Sequence, residues 1–92
     1  MAVTTLQVTL SGKTQVSATS IKARWVVFQN NAAAVMRLGD VNTSSTVGIS
    51  VQAGGANFAP PMGEQAMVHN LNQWYAVGTD TQVLDVVYDS VA

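Results

Sequence analysis

The chain has 92 residues, a net charge of −1, no cysteine, and only 10% charged side chains. That length makes one domain, residues 1–92, with one core; the missing cysteine excludes disulfides and thiolate chemistry. The cations Lys13, Lys22, Arg24 and Arg37 are dispersed, which argues against nucleic-acid binding by phosphate neutralisation. No apolar run approaches the roughly 20 residues of a membrane helix.

From Thr4 to Leu10, Leu6, Val8 and Leu10 fall on one face and Thr5, Gln7 and Thr9 on the other. This alternation predicts a half-buried strand. It lacks the basic start and continuous apolar stretch of a signal peptide. "SGKTQ" predicts a turn, and residues 16–21 a further strand with Val16, Ala18 and Ile21 inward. "RWVVFQ", residues 24–29, predicts a strand buried on both faces or bordering an oligomer contact.

"NNAAAVMRLGD" follows. Asn tolerates left-handed backbone and bonds its own chain, so we expect a hairpin. One strand ends at Asn30, the turn takes residues 31–33, and the next strand runs over 34–38. Met36 and Leu38 then share one face, Val35 and Arg37 the other. A helix over 32–38 is the alternative, but under two turns it would be marginal alone. Residues 40–47 read as a polar loop, 48–51 as a short strand and 52–57 as a turn, the Gly54–Gly55 pair included. "FAPPMG" is not a central strand, because Pro60 and Pro61 lack ladder donors. Residues 64–73 are ambiguous: Met67, Leu71 and Trp74 have helical spacing, whereas "NLN" reads as a turn. "WYAVGT" predicts a strand, "DTQ" a turn, and "VLDVVY" a closing strand. The expected fold is all-β, a small antiparallel β-sandwich or jelly-roll-like barrel of six to eight short strands. Fifteen valines and nine threonines favour it.

Candidate chemistry is sparse. His69 is the single histidine and there is no cysteine, so a zinc site lacks ligands. No nucleophile elbow accompanies any serine. Of the carboxylates Asp40, Glu64, Asp80, Asp85 and Asp89, Asp40 and Asp80 read as turn residues, and Asp85 and Asp89 as alternating outward against Leu84 and Val86 or flanking the strand end as edge charges. A glycosidase pair would need a larger cleft. No catalytic residue, metal ligand or cofactor is expected. "NTS" at residues 42–44 matches a glycosylation sequon in a polar loop. Trp25, Trp74 and Tyr75 are aromatic anchors for the core or a subunit contact, or a glycan-stacking platform.

The surface is polar yet poorly charged; designed soluble surfaces carry roughly 25–35% charged residues. Such a surface can be covered without heavy desolvation cost, which suits a homo-oligomer or a larger assembly.

The order of features resembles small virion structural proteins of tailed bacteriophages. Val27, Gln29, Asn30, Val35, Leu38, Gly39 and Asp40 carry the likeness, then Gly48 and Ile49, then Tyr75, Ala76, Val77 and Gly78, and finally residues 83–88. It covers residues 24–89, and "ANFAPPMGEQAMVHNLNQ" departs from it. The resemblance implies a compact β-sandwich that coats or tethers parts of a virion, commonly as an oligomer.

The expected function is therefore a non-enzymatic capsid decoration (cement) protein, made in the host cytoplasm and placed on the capsid surface. Its partners would be the major capsid protein or other virion proteins, with a homo-oligomer expected and a trimer favoured. Residues 1–5, with Ala2, Val3, Thr4 and Thr5, are the expected extended contact arm, because termini are free to pair with a foreign sheet edge. The alternatives are a carbohydrate- or receptor-binding module of a tail fibre, using Trp25, Trp74 and Tyr75, and a head–tail joining or tail subunit.

Overall fold

Two antiparallel sheets pack face to face as a small β-sandwich. The structure is a computed structural model that describes residues 2–60 and 69–90. The described residues form nine strands: β1 (Ala2–Thr9), β2 (Lys13–Gln15), β3 (Lys22–Asn30), β4 (Met36–Gly39), β5 (Ile49–Val51), β6 (Ala56–Phe58), β7 (His69–Asn70), β8 (Tyr75–Val77) and β9 (Val83–Ser90). This is one more than the upper end of the expected range; the unexpected strands are β2, β6 and β7, of two or three residues each. The first sheet has the order β1-β9-β3-β6, with β7 also on β3; the second has the order β2-β8-β4-β5.

The long strands follow their alternation. Val8 on β1, Leu84, Val86 and Tyr88 on β9, and Val26 and Phe28 on β3 all point into the sandwich. Met36, Leu38, Val51 and Ala76 meet them from the second sheet, and Leu10, Val16 and Leu71 close the ends. β3 is not buried on both faces. Val26, Phe28 and Asn30 are buried, while Val27 and Gln29 between them are half-buried on the outer face.

The expected hairpin at "NNAAA" is not one, and no helix forms there. β3 belongs to the first sheet and β4 to the second, so residues 31–35 arch from one sheet to the other. Asn30 makes the arch. Its side chain is fully buried. The Nδ2 group donates to Ala34 O (2.8 Å) and to Val51 O (2.9 Å), and Oδ1 accepts from Ala32 N–H (2.9 Å). A hairpin turn would leave those carbonyls to water; an arch buries them, and the amide satisfies them. The Gly54–Gly55 turn is a second arch, from β5 to β6. Both glycines have positive φ and donate backward, Gly54 N to Ala32 O and Gly55 N to Asn30 O. The two arches are thus bonded to each other.

Two further local expectations change. The predicted turn "SGKTQ" spans only its first two residues, and Lys13–Gln15 pairs with β8 as β2. The predicted strand at 16–21 is a loop, with Ala18 exposed. Ser17 explains it: its hydroxyl donates to Thr19 O (2.8 Å) and accepts from Thr19 N–H (3.2 Å). A side chain that bonds backbone two residues on competes with a ladder. Residues 64–68 of the ambiguous stretch lie outside the described residues; beyond them come β7 and a 3₁₀ turn, Leu71–Gln73.

Asp85 and Asp89 alternate outward against Leu84 and Val86, one of the two readings expected, and are not edge charges. β9 is flanked by β1 and β3. Asp85 accepts from Gln7 Nε2 (2.9 Å) and Asn31 Nδ2 (2.7 Å). Asp89 is buried, with Arg24 Nε 3.7 Å from its Oδ2.

Among the described residues, one non-glycine position is strained. Thr81, in the turn that leads into β9, has φ 72°. The left-handed region costs an L-residue about 1–2 kcal/mol, and a β-branched residue fits it worst. Its N–H donates to Leu10 O, and Leu10 N–H donates to Gln82 O, so the ladder holds it there. Thr81→Gly should stabilise the chain by about 0.5–1 kcal/mol after the extra unfolded-state freedom of glycine is deducted. Urea unfolding would measure it, and a loss of stability would contradict the strain.

Candidate functional site

The loop after β4 is built by its own hydroxyls. Asp40 Oδ1 accepts from Asn42 N–H (2.9 Å), and Asp40 O accepts from both the N–H and the hydroxyl of Thr43 (3.0 and 2.7 Å). Thr43 is buried as a result. Ser44 Oγ accepts from Thr46 N–H and Val47 N–H, and Ser44 N–H donates to Val47 O (2.9 Å). The loop closes at Gly48, whose φ is +127° and where a Cβ would lie 2.9 Å from Leu38 O; only glycine fits that conformation at that distance. Arg37 Nη1 then donates to Gly48 O (3.1 Å).

Asp40, Thr43 and Ser44 thus hold the loop by bonding its own chain, and its aliphatic side chains Val41 and Val47 stand exposed. Val41 is 53% exposed, Val47 55% and Ile49 44%. Beside them runs a groove of about 450 Å³, with Leu38, Gly39, Asp40, Gly48 and Ile49 on one side and His69, Asn70, Gln73 and Trp74 on the other. Asn70 is committed to structure. Its Oδ1 accepts from Asn72 N–H and its Nδ2 donates to Ser20 Oγ. The His69 ring stands edge-on to Trp74, with centroids 6.4 Å apart. Among the described residues no three His, Asp or Glu side chains gather as a metal site would require. What the groove and loop offer is apolar contact with a few amides and one carboxylate at the margin, the composition of a binding surface.

The three expected aromatic anchors are separated. Trp25 is on the outer face of the first sheet, beside Val27 and Val87. Trp74 packs between the sheets, 5.0 Å from the Phe28 ring and 6.2 Å from Phe58. Tyr75 is on the outer face of the second sheet, where the Lys13 ammonium lies 5.9 Å from its ring centroid. They form no shared platform.

Ala2, Val3, Thr4 and Thr5 lie in β1, opposite Ser90, Asp89, Tyr88 and Val87 of β9. They are built into the sheet, and what they present outward is a strand edge. The exposed aliphatics of the 40–48 loop, Val41 and Val47, were the part sequence reasoning passed over. Their signal was present: Val41 and Val47 are the only large apolar residues in "DVNTSSTV", and a loop of hydroxyls has no inside to put them in.

Comparison with known proteins gave no match: no protein-family model matches the chain, and neither do the curated proteins or the solved structures.

Proposed function

We propose that the chain is a non-enzymatic structural protein of a tailed-phage virion, a decoration protein that docks on the assembled head shell. The observation that carries this reading is the self-bonded 40–48 loop, which leaves Val41 and Val47 exposed next to Ile49, the first residue of β5, whose side chain lines an apolar groove. Exposed aliphatics on a self-bonded loop are pre-organised for contact, so docking orders little that is not already ordered. The poorly charged surface around them, 10% of residues overall, can be covered at small desolvation cost. The sequence resemblance supplies the kind of assembly.

On this reading the partner is the major capsid protein at sites that exist only between assembled subunits. A protein that binds the shell and not free subunits stabilises the shell by mass action, and an oligomeric form multiplies avidity without new contacts. The separation of Trp25, Trp74 and Tyr75 gives no support to the glycan-platform alternative.

The test is co-sedimentation with expanded empty heads. Val41→Asp and Val47→Asp change exposed loop side chains, so each should shift folding stability by within about 0.5 kcal/mol. Together they should lower the bound fraction at least tenfold. Undiminished binding by the folded double variant would remove the loop from the interface.

A further inference from the structure

We infer that the free edge of β1 pairs with the same edge of a second copy of this chain, antiparallel about a two-fold axis, joining two first sheets into one. The inference concerns the isolated protein and holds whatever the 40–48 loop docks on.

The four open sheet edges are unlike. β6 and β7 have three and two residues, β5 has three, and β2 has three and carries Lys13. Short strands and lysines are how sheet proteins blunt their edges. β1 has eight residues, "AVTTLQVT", with no charge and no proline. Its register with β9 runs without a shift from Ala2↔Ser90 to Thr9↔Val83, so no bulge twists the edge away. Among the described residues β1 pairs with β9 alone, and Val3, Thr4, Thr5, Gln7 and Thr9 are exposed.

The ladder fixes which backbone groups are open. Leu10 N–H donates to Gln82 O, and bonded and non-bonded pairs alternate in an antiparallel ladder. Even-numbered residues therefore bond β9. The N–H and C=O of Val3, Thr5, Gln7 and Thr9 point to the open side.

That set is self-complementary. An antiparallel copy placed so that Leu6 faces Leu6 sets Val3 opposite Thr9 and Thr5 opposite Gln7, and engages all four open residues of each chain in about eight hydrogen bonds. Shifting the register by two residues either way leaves one end unpaired. The side chains agree with this placement. Leu6 is half-buried at the margin of the core, and in the pair it meets its own copy on the inner face. No like charges face each other, because the strand has none. A two-fold interface needs one patch that fits itself, and a neutral edge does.

The absence of cysteine makes the test clean. Light scattering on the wild-type chain should give twice 9.7 kDa. Thr5→Pro removes one open N–H and leaves the β9 ladder intact, so it should give 9.7 kDa with unchanged circular dichroism. If Thr5→Pro fails to fold, the Thr5→Lys/Gln7→Lys double variant places like charges opposite one another across the axis and should be the monomer instead. Under mild oxidation Leu6→Cys should form a covalent dimer and Thr4→Cys, which faces Val8 of the second copy, should not. A wild-type monomer at the highest soluble concentration, a trimer, or equal cross-linking at positions 4 and 6 would each overturn the pairing. A monomer that still binds heads through its loop would overturn this inference and leave the decoration reading standing.

Discussion

Asn30→Ala should destabilise the fold by about 3–5 kcal/mol and lower the melting temperature by about 12–40 °C, since each kcal/mol is worth about 4–8 °C in a domain near this size. The side chain is fully buried and serves three backbone groups, Ala32 N–H, Ala34 O and Val51 O. Removing it strands all three. A buried group left without its partner costs about 1–3 kcal/mol, and some of that returns as the arch relaxes or admits water. Asn30→Asp is the sharper variant. It keeps the shape and the acceptor for Ala32 N–H but turns an oxygen toward two carbonyls, with a charge buried among them, and should cost more than alanine at neutral pH. Urea unfolding of both variants measures this. If alanine costs under about 1 kcal/mol, the arch is held by something other than this amide.

Phe28→Ala should cost a similar amount, about 3–5 kcal/mol, and its optical signature is specific. Phe28 is fully buried and its ring lies 5.0 Å from that of Trp74. The substitution opens a cavity against the indole, so Trp74 emission should shift to the red. Trp25 is the other tryptophan, on the opposite side of the first sheet, and a Trp25→Phe background isolates the signal. Phe58 is only half-buried and 6.2 Å from Trp74. Phe58→Ala should therefore lose less stability and shift the emission less. Equal effects from the two phenylalanines would mean that the cluster is not centred on Phe28.

These two residues mark where the sequence was readable and where it was not. Phe28 sits in the most apolar run of the chain, and alternation placed β1 with its inward face, whereas the same apolar run made β3 look buried on both faces. Period 2 says which side of a strand is buried, but it does not say which strand lies alongside. Asn30 and Asn31 therefore read as a hairpin turn, when Asn30 is the buried tie between two sheets. The same limit left open whether Asp85 and Asp89 face outward from a central strand or flank an edge; they face outward, and β9 is central. β2 was lost because three residues are too few to alternate, and 16–21 was over-read because a Ser17 turn can imitate a weak strand. The candidate site was less legible than the fold. The aromatic residues drew attention by their size, yet Trp25, Trp74 and Tyr75 are dispersed, Trp74 into the core. Two of the exposed aliphatics, Val41 and Val47, lie in a loop whose composition looked merely polar.

The decoration reading turns on whether the protein recognises an assembled shell. Purified protein should be titrated against expanded empty heads and against dissociated capsid subunits of the phage that encodes it. The bound copies should then be counted after sedimentation. Saturation on heads at a fixed ratio to the major capsid protein, with no binding to free subunits, is the expected result. No binding to heads, or equal binding to free subunits, would contradict it.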